Sequence, residues 1–158
     1  MVEPVERRSW LALGAATAAA FMVVVDVSIV NVAFPSIQRS LDASNAALSW
    51  IVSGYSITVG SFLLLSGRLA DRQGRRKMFN LGLVIFAIGS LLSGVAPRVE
   101  ILIAARVVQA MGGSLIMPSS LAMVLPEFPV SRRSAAIGMW GGRWARWGRR
   151  SARPSARC

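Results

Sequence analysis

Histidine is absent from this chain, and cysteine occurs once, as the final residue Cys158. The first absence removes the commonest general base and metal ligand. The second rules out a disulfide framework within one chain. Acidic residues are also scarce, 7 against 18 lysines and arginines, for a formal net charge of +11. Such a balance ordinarily raises nucleic acid as a partner, but the positive charge is not a surface average. Six of the basic residues follow Gly142, and five more crowd between Gly67 and Lys77. Neither an enzyme nor a cofactor or metal protein is expected, and no nucleic-acid partner.

What the chain has in abundance is apolar sequence, 54% of its residues, with a mean hydropathy of +0.53. That exceeds an ordinary soluble domain and comes in long runs. Residues 1–9 read as a short cytoplasmic tail. Four membrane spans are expected at about 10–34, 47–65, 78–96 and 101–125, with the start of a fifth at 134–142. Trp10 suits the membrane interface, and the first run is too long for a cleavable signal peptide. Pro35 is expected to close the first helix, and Pro126 and Pro129 to break the fourth. Ser53, Ser56 and Gly60 fall on one side of the second span, a small-residue seam that would admit another helix.

Charge fixes the expected orientation. Arg7, Arg8, Arg68, Arg72, Arg75, Arg76, Lys77, Arg132 and Arg133 lie in the tail and alternate loops, while the other two loops hold Arg39 and Arg98. The positive-inside rule therefore places the N-terminus and the 67–77 segment in the cytoplasm of a multi-pass inner (plasma) membrane protein surrounded by lipid.

That segment, Gly67-Arg-Leu69-Ala-Asp71-Arg72-Gln-Gly74-Arg75-Arg76-Lys77, reads as a tight basic turn. Its glycines would let the backbone reverse, and Asp71 would pair with a neighbouring arginine or sit at a helix end. The spacing resembles the loop between helices 2 and 3 of the major facilitator superfamily, G-x-L-A-D-R-x-G-R-R/K. The resemblance implies an all-α membrane fold and a conformational latch at Gly67, Leu69, Asp71, Arg72, Gly74, Arg75 and Arg76.

Two polar sites interrupt the spans. Asp26 lies more than halfway along the first, where a charge is costly unless it faces a partner or a wet cavity. It is a candidate to take up and release a proton, against the alternative of a structural aspartate paired with a neighbouring helix. Its surroundings, Asp26-Val-Ser28-Ile-Val-Asn31-Val-Ala-Phe-Pro35, resemble the helix 1 segment of the drug:proton antiporters with fourteen spans, departing only at Phe34. Arg106 is similarly placed in the fourth span, and Gln109 and Gly113 return to its face at helical spacing. Arg106-Val-Val-Gln109-Ala-Met-Gly112-Gly113 resembles the superfamily's helix 4 motif, R-x-x-Q-G-x-G, with Ala110 where glycine is usual. The resemblance implies that Arg106 serves proton transfer by tuning an acidic partner.

After Gly142 the character changes. Residues 143–158 carry arginine at nearly every third place, and read directly they form a basic tail. Back-translated with GC-rich codons and read one base upstream, the stretch can encode an apolar helix with G-P-x-x-G spacing, resembling helix 5 of the antiporter branch. We therefore expect a frameshifted or truncated product beyond about residue 142. The chain resembles the N-terminal four helices and the start of the fifth of a major facilitator fold. The implied function is proton-coupled export of amphipathic small molecules by a full-length parent, the fragment itself being inactive. Two alternatives stand beside it. One is a small four-helix multidrug transporter working as a homodimer, and the other a membrane-tethered basic protein binding nucleic acid through Trp144, Trp147 and the surrounding arginines.

Overall fold

The protein was described as a computed structural model, covering residues 7–129, 133–138 and 140. The basic stretch 143–158 with its out-of-frame reading, and Arg132, lie outside the described residues. Four helices follow in order: α1 Arg7–Ser40, α2 Asn45–Gln73, α3 Arg75–Gly94 and α4 Val99–Val124. A 3-10 turn, Leu125–Glu127, ends α4, and residues 133–138 are again helical. No strand occurs among the described residues. All four helices are long and apolar enough to cross a bilayer. A helix satisfies its backbone groups within itself, which hydrocarbon demands. Exposed Val32, Leu64, Leu91 and Val95 suit that surrounding.

Short connections impose antiparallel order. Between α1 and α2 the chain turns at Asp42, in the left-handed region at φ 48°. Ser44 then caps α2, its Oγ accepting from Ala47 N at 3.2 Å. Gln38 Nε2 donates to Asn45 Oδ1 at 3.1 Å and ties the two ends together.

Two boundaries differ from the sequence expectation. Pro35 does not close α1, which runs on to Ser40. A proline costs the helix one N–H and a kink, and here packing offsets both. Phe34, Ile37 and Leu41 pack against Ala43, Leu48, Ile51 and Leu102, while Arg39 Nε donates to the Pro35 carbonyl at 3.0 Å. Nor is the 67–77 segment a turn throughout. α2 continues to Gln73 and α3 begins at Arg75, so only Gly74 leaves the helices. Its φ of 98° is a value that side chains rarely adopt. Gly67 is helical, and burial of Ala70 with Met78 and Leu115 holds this last part of α2 in place.

α4 is the helix the others are built on. It packs most extensively on α3, then on α2, then on α1. Contact with α3 is backbone to backbone. A Cβ at Gly89 would lie 2.6 Å from Gln109 N, and one at Gly112 would lie 2.4 Å from Phe86 N. Small residues are what permit such approach in a membrane, where packing rather than water drives association. Pro118 sits within α4. Nearby serines bond back to the helix: Ser114 Oγ to Met111 O at 2.7 Å, Ser120 Oγ to Met117 O at 2.9 Å, and Ser119 Oγ to Leu115 O.

The small seam of α2 is not its packed face. Ser53, Ser56 and Gly60 are exposed, and nothing among the described residues lies within 4 Å of a Cβ at Gly60. α2 instead buries Leu48, Ile51, Tyr55 and Thr58, the opposite stripe at the same spacing. At the end where α1 begins, Leu13 and Ala16 pack with Val124, Phe128 and Ala136, and Trp10 meets Phe128 edge to face at 5.4 Å.

Candidate functional site

Asp26 of α1 meets Arg106 and Gln109 of α4, far from it in sequence, in the middle of the bundle. α4 presents Arg106 and Gln109 one turn apart, 2% and 0% exposed. α1 brings Asp26, whose side chain keeps 18% exposure. Arg106 Nη1 donates to Asp26 Oδ2 and to Gln109 Oε1, the latter at 2.7 Å. Gln109 Nε2 donates to Asp26 Oδ1 at 2.8 Å. The three side chains close a ring of bonds in which each carboxylate oxygen has its own donor. A buried charge without such partners would be prohibitive.

A fourth residue completes the centre, and the sequence reading missed it. Tyr55 of α2 lies with its ring face over the Arg106 guanidinium, 4.4 Å from carbon to centroid. It is 6% exposed, and its hydroxyl and Arg106 Nε have no hydrogen-bond partner among the described residues. The missed signal was a polar-tipped aromatic in register with Leu48, Ile51 and Thr58. Gly113 faces the same tyrosine, and a Cβ there would stand 3.2 Å from the Tyr55 hydroxyl. Gly112 faces α3 instead, so the two glycines of the helix 4 motif serve different contacts.

The other helix 1 positions do not join the centre. Ser28 Oγ bonds back to Val24 O at 3.2 Å and Asn31 Nδ2 to Val27 O at 2.9 Å. Asn31 and Pro35 are exposed. Elsewhere, Ser66 and Ser114 join α2 to α4 through their hydroxyls at 3.1 Å. Among the described residues no group of histidine, cysteine and acidic side chains could hold a metal ion.

The basic segment forms a second site at the end of the bundle. Asp71 lies in the last turn of α2, and its Oδ1 is 3.6 Å from Arg75 Nη2 across Gly74. Arg75 Nη1 also donates to Ala122 O at 2.6 Å, capping a carbonyl in the last turn of α4. Arg75, Arg76 and Lys77 occupy the first turn of α3, where no acid is present. Cations there oppose the helix dipole, so helix stability does not account for their placement. A cavity of about 520 Å³ lies among Asp71, Arg75, Arg76, Lys77 and Met123. Leu69 is half-buried beneath this surface, whereas Arg72 and Gly74 are exposed.

Comparison with known proteins shows the family. The profile of the Major Facilitator Superfamily matches residues 16–145. A methylenomycin A resistance protein of Streptomyces coelicolor is 45% identical over 120 residues, which is 75% of this chain and 25% of that protein. A multidrug resistance protein, Stp, of Mycobacterium tuberculosis is 40% identical over 76% of this chain and 22% of its own length. A puromycin resistance protein of Streptomyces alboniger is 38% identical over 85% of this chain and 27% of its own. The chain thus spans about a quarter of the length of the curated relatives it matches.

Proposed function

The chain belongs to the Major Facilitator Superfamily, whose members are multi-pass membrane transporters rather than enzymes, and from that premise we propose that its four helices serve proton-coupled export of amphipathic small molecules. The observation that carries the proposal is the Asp26 carboxylate held between Arg106 and Gln109 inside a membrane bundle. A carboxylate at this depth is a costly group, and Asp26 keeps part of its side chain exposed. Proton uptake neutralises Asp26 and releases Arg106 from it. Proton loss restores the pair. That exchange supplies a two-state element that a transport cycle can use. The drug and antibiotic resistance named for the relatives supports the substrate class.

In this reading the helices work with a second bundle, since alternating access requires two bodies rocking about a midplane site. Asp71, Arg75 and their neighbours act as the latch between bodies, the N-terminus and Gly74 lie in the cytoplasm, and the bilayer is the inner membrane. Small molecules and protons are the partners, with no cofactor. The test is a chimera joining residues 1–142 to the remaining length of the methylenomycin A resistance protein. It should confer resistance and release protons when the drug is added. Asp26→Asn should keep the chimera in the membrane and lose both. Proton release that survives the change would reduce Asp26 to a structural role.

A further inference from the structure

We propose that Tyr55 is a positioning residue of the Asp26 centre: its ring face holds the Arg106 guanidinium on the carboxylate, and Gly113 leaves the room its hydroxyl needs. The inference rests on reading Asp26 as the group that exchanges the proton.

Arg106 is a long side chain, and one nitrogen, Nη1, makes its bonds to both Asp26 and Gln109. Those two bonds hold one corner of the guanidinium, while its Nε bonds to nothing among the described residues. The Tyr55 ring supplies the missing constraint, lying 4.4 Å from the guanidinium carbon. Both groups are almost fully buried, and a cation over an aromatic face is attracted more strongly when desolvated. The Tyr55 hydroxyl makes no hydrogen bond among the described residues, so the ring, not the hydroxyl, is what acts on Arg106. The hydroxyl still takes space. An alanine at position 113 would put its Cβ 3.2 Å from that oxygen. The ring would then have to give by a few tenths of an ångström, moving the surface on which Arg106 rests.

The measurement uses the whole 158-residue chain in detergent micelles and a hydrophobic carbodiimide, which reacts with protonated carboxyls in apolar surroundings. The Asp26 adduct is located by peptide mass, with Asp26→Asn as the blank and Arg106→Gln as the upper reference. Circular dichroism checks that each variant keeps its helices. Loosening the guanidinium opens the ion pair that shields the Asp26 carboxyl from the reagent. Tyr55→Leu should therefore raise the labelling rate about thirtyfold, in keeping with a desolvated cation–π contact. Tyr55→Phe should label like the unaltered chain. Gly113→Ala should raise the rate, and adding Tyr55→Phe to it should bring the rate back, because the clashing oxygen is gone. A Tyr55→Leu rate equal to that of the unaltered chain overturns the proposal. So does a double variant that labels like Gly113→Ala alone, or a Tyr55→Phe variant that labels like Tyr55→Leu. None of these readings depends on export, so a failed transport assay leaves the test of Tyr55 intact.

Discussion

Asp26 and Gln109 face each other across α1 and α4, the amide nitrogen of one 2.8 Å from a carboxylate oxygen of the other. The amide oxygen of Gln109 accepts from Arg106. This fixes the amide's orientation, since turning it over would set its NH₂ against the guanidinium and its oxygen against the carboxylate. Gln109 therefore joins acid and base rather than merely lining them.

That arrangement predicts strong coupling between Asp26 and Arg106. Arg106→Gln leaves a largely buried carboxylate short of its cation and should lower the unfolding free energy of the chain in micelles by about 3–5 kcal/mol. Asp26→Asn should cost less, because Arg106 keeps Gln109 and Tyr55. The double variant should recover at least about 1 kcal/mol of the summed losses. Titration with a denaturing detergent measures all three, and strict additivity would show that the pair contributes nothing.

Gly89 and Gly112 offer a second test. An alanine at either meets backbone, at 2.6 Å from Gln109 N or 2.4 Å from Phe86 N, and backbone does not yield as a side-chain tip does. Each should destabilise the chain by about 1–3 kcal/mol. Gly94→Ala, with nothing within 4 Å of its Cβ, should be neutral or slightly stabilising. Equal effects at Gly89 and Gly94 would contradict the close contact of α3 with α4.

The orientation can be read with single cysteines after Cys158 is replaced. Ser40→Cys, at the end of α1, should react with an impermeant thiol reagent added outside intact cells. Gln73→Cys, beside Gly74, should react only after the membrane is opened. The reverse pattern would invert the topology.

The chain alone should not export. Its α2 seam of Ser53, Ser56 and Gly60 is exposed among the described residues, and the proposed cycle needs a second bundle for Asp71 to work against. Expressed in cells lacking their own drug pumps, residues 1–158 should give dye efflux no greater than an empty vector. Efflux that vanishes with Asp26→Asn would instead favour a homodimer of this chain.

The four spans and their order were legible in the sequence because hydrocarbon leaves few choices for long apolar runs. Arg106, Gln109 and Gly113 could be placed on one inward face by helical spacing alone, and Asp26 stood out as a lone charge. Partnership was harder to see. Nothing local ties Asp26 to Arg106, and Tyr55 in an apolar run looks like ordinary packing until α4 is laid against it. The α2 seam lies exposed because small residues permit close approach without requiring it, and bulkier Ile51 and Tyr55 on the other stripe make the contact with the described helices. Pro35 and Gly67 were read as stops, yet tertiary burial carried both helices past them. Gly74 is different: its positive φ makes it the true break.

The glycine contacts of α3 and α4 have a mechanical consequence. Two helices joined backbone to backbone move as one plate, and Arg106 and Gln109 ride on it. α1 rests on that plate through apolar side chains such as Ala19, Val23, Phe79, Phe86 and Ile116, which can slide past one another at small cost. Its register is pinned by the directional bonds at Asp26. On the proposed function, a proton arriving there would work as a clutch, disengaging α1 from the plate, and its departure would engage them again.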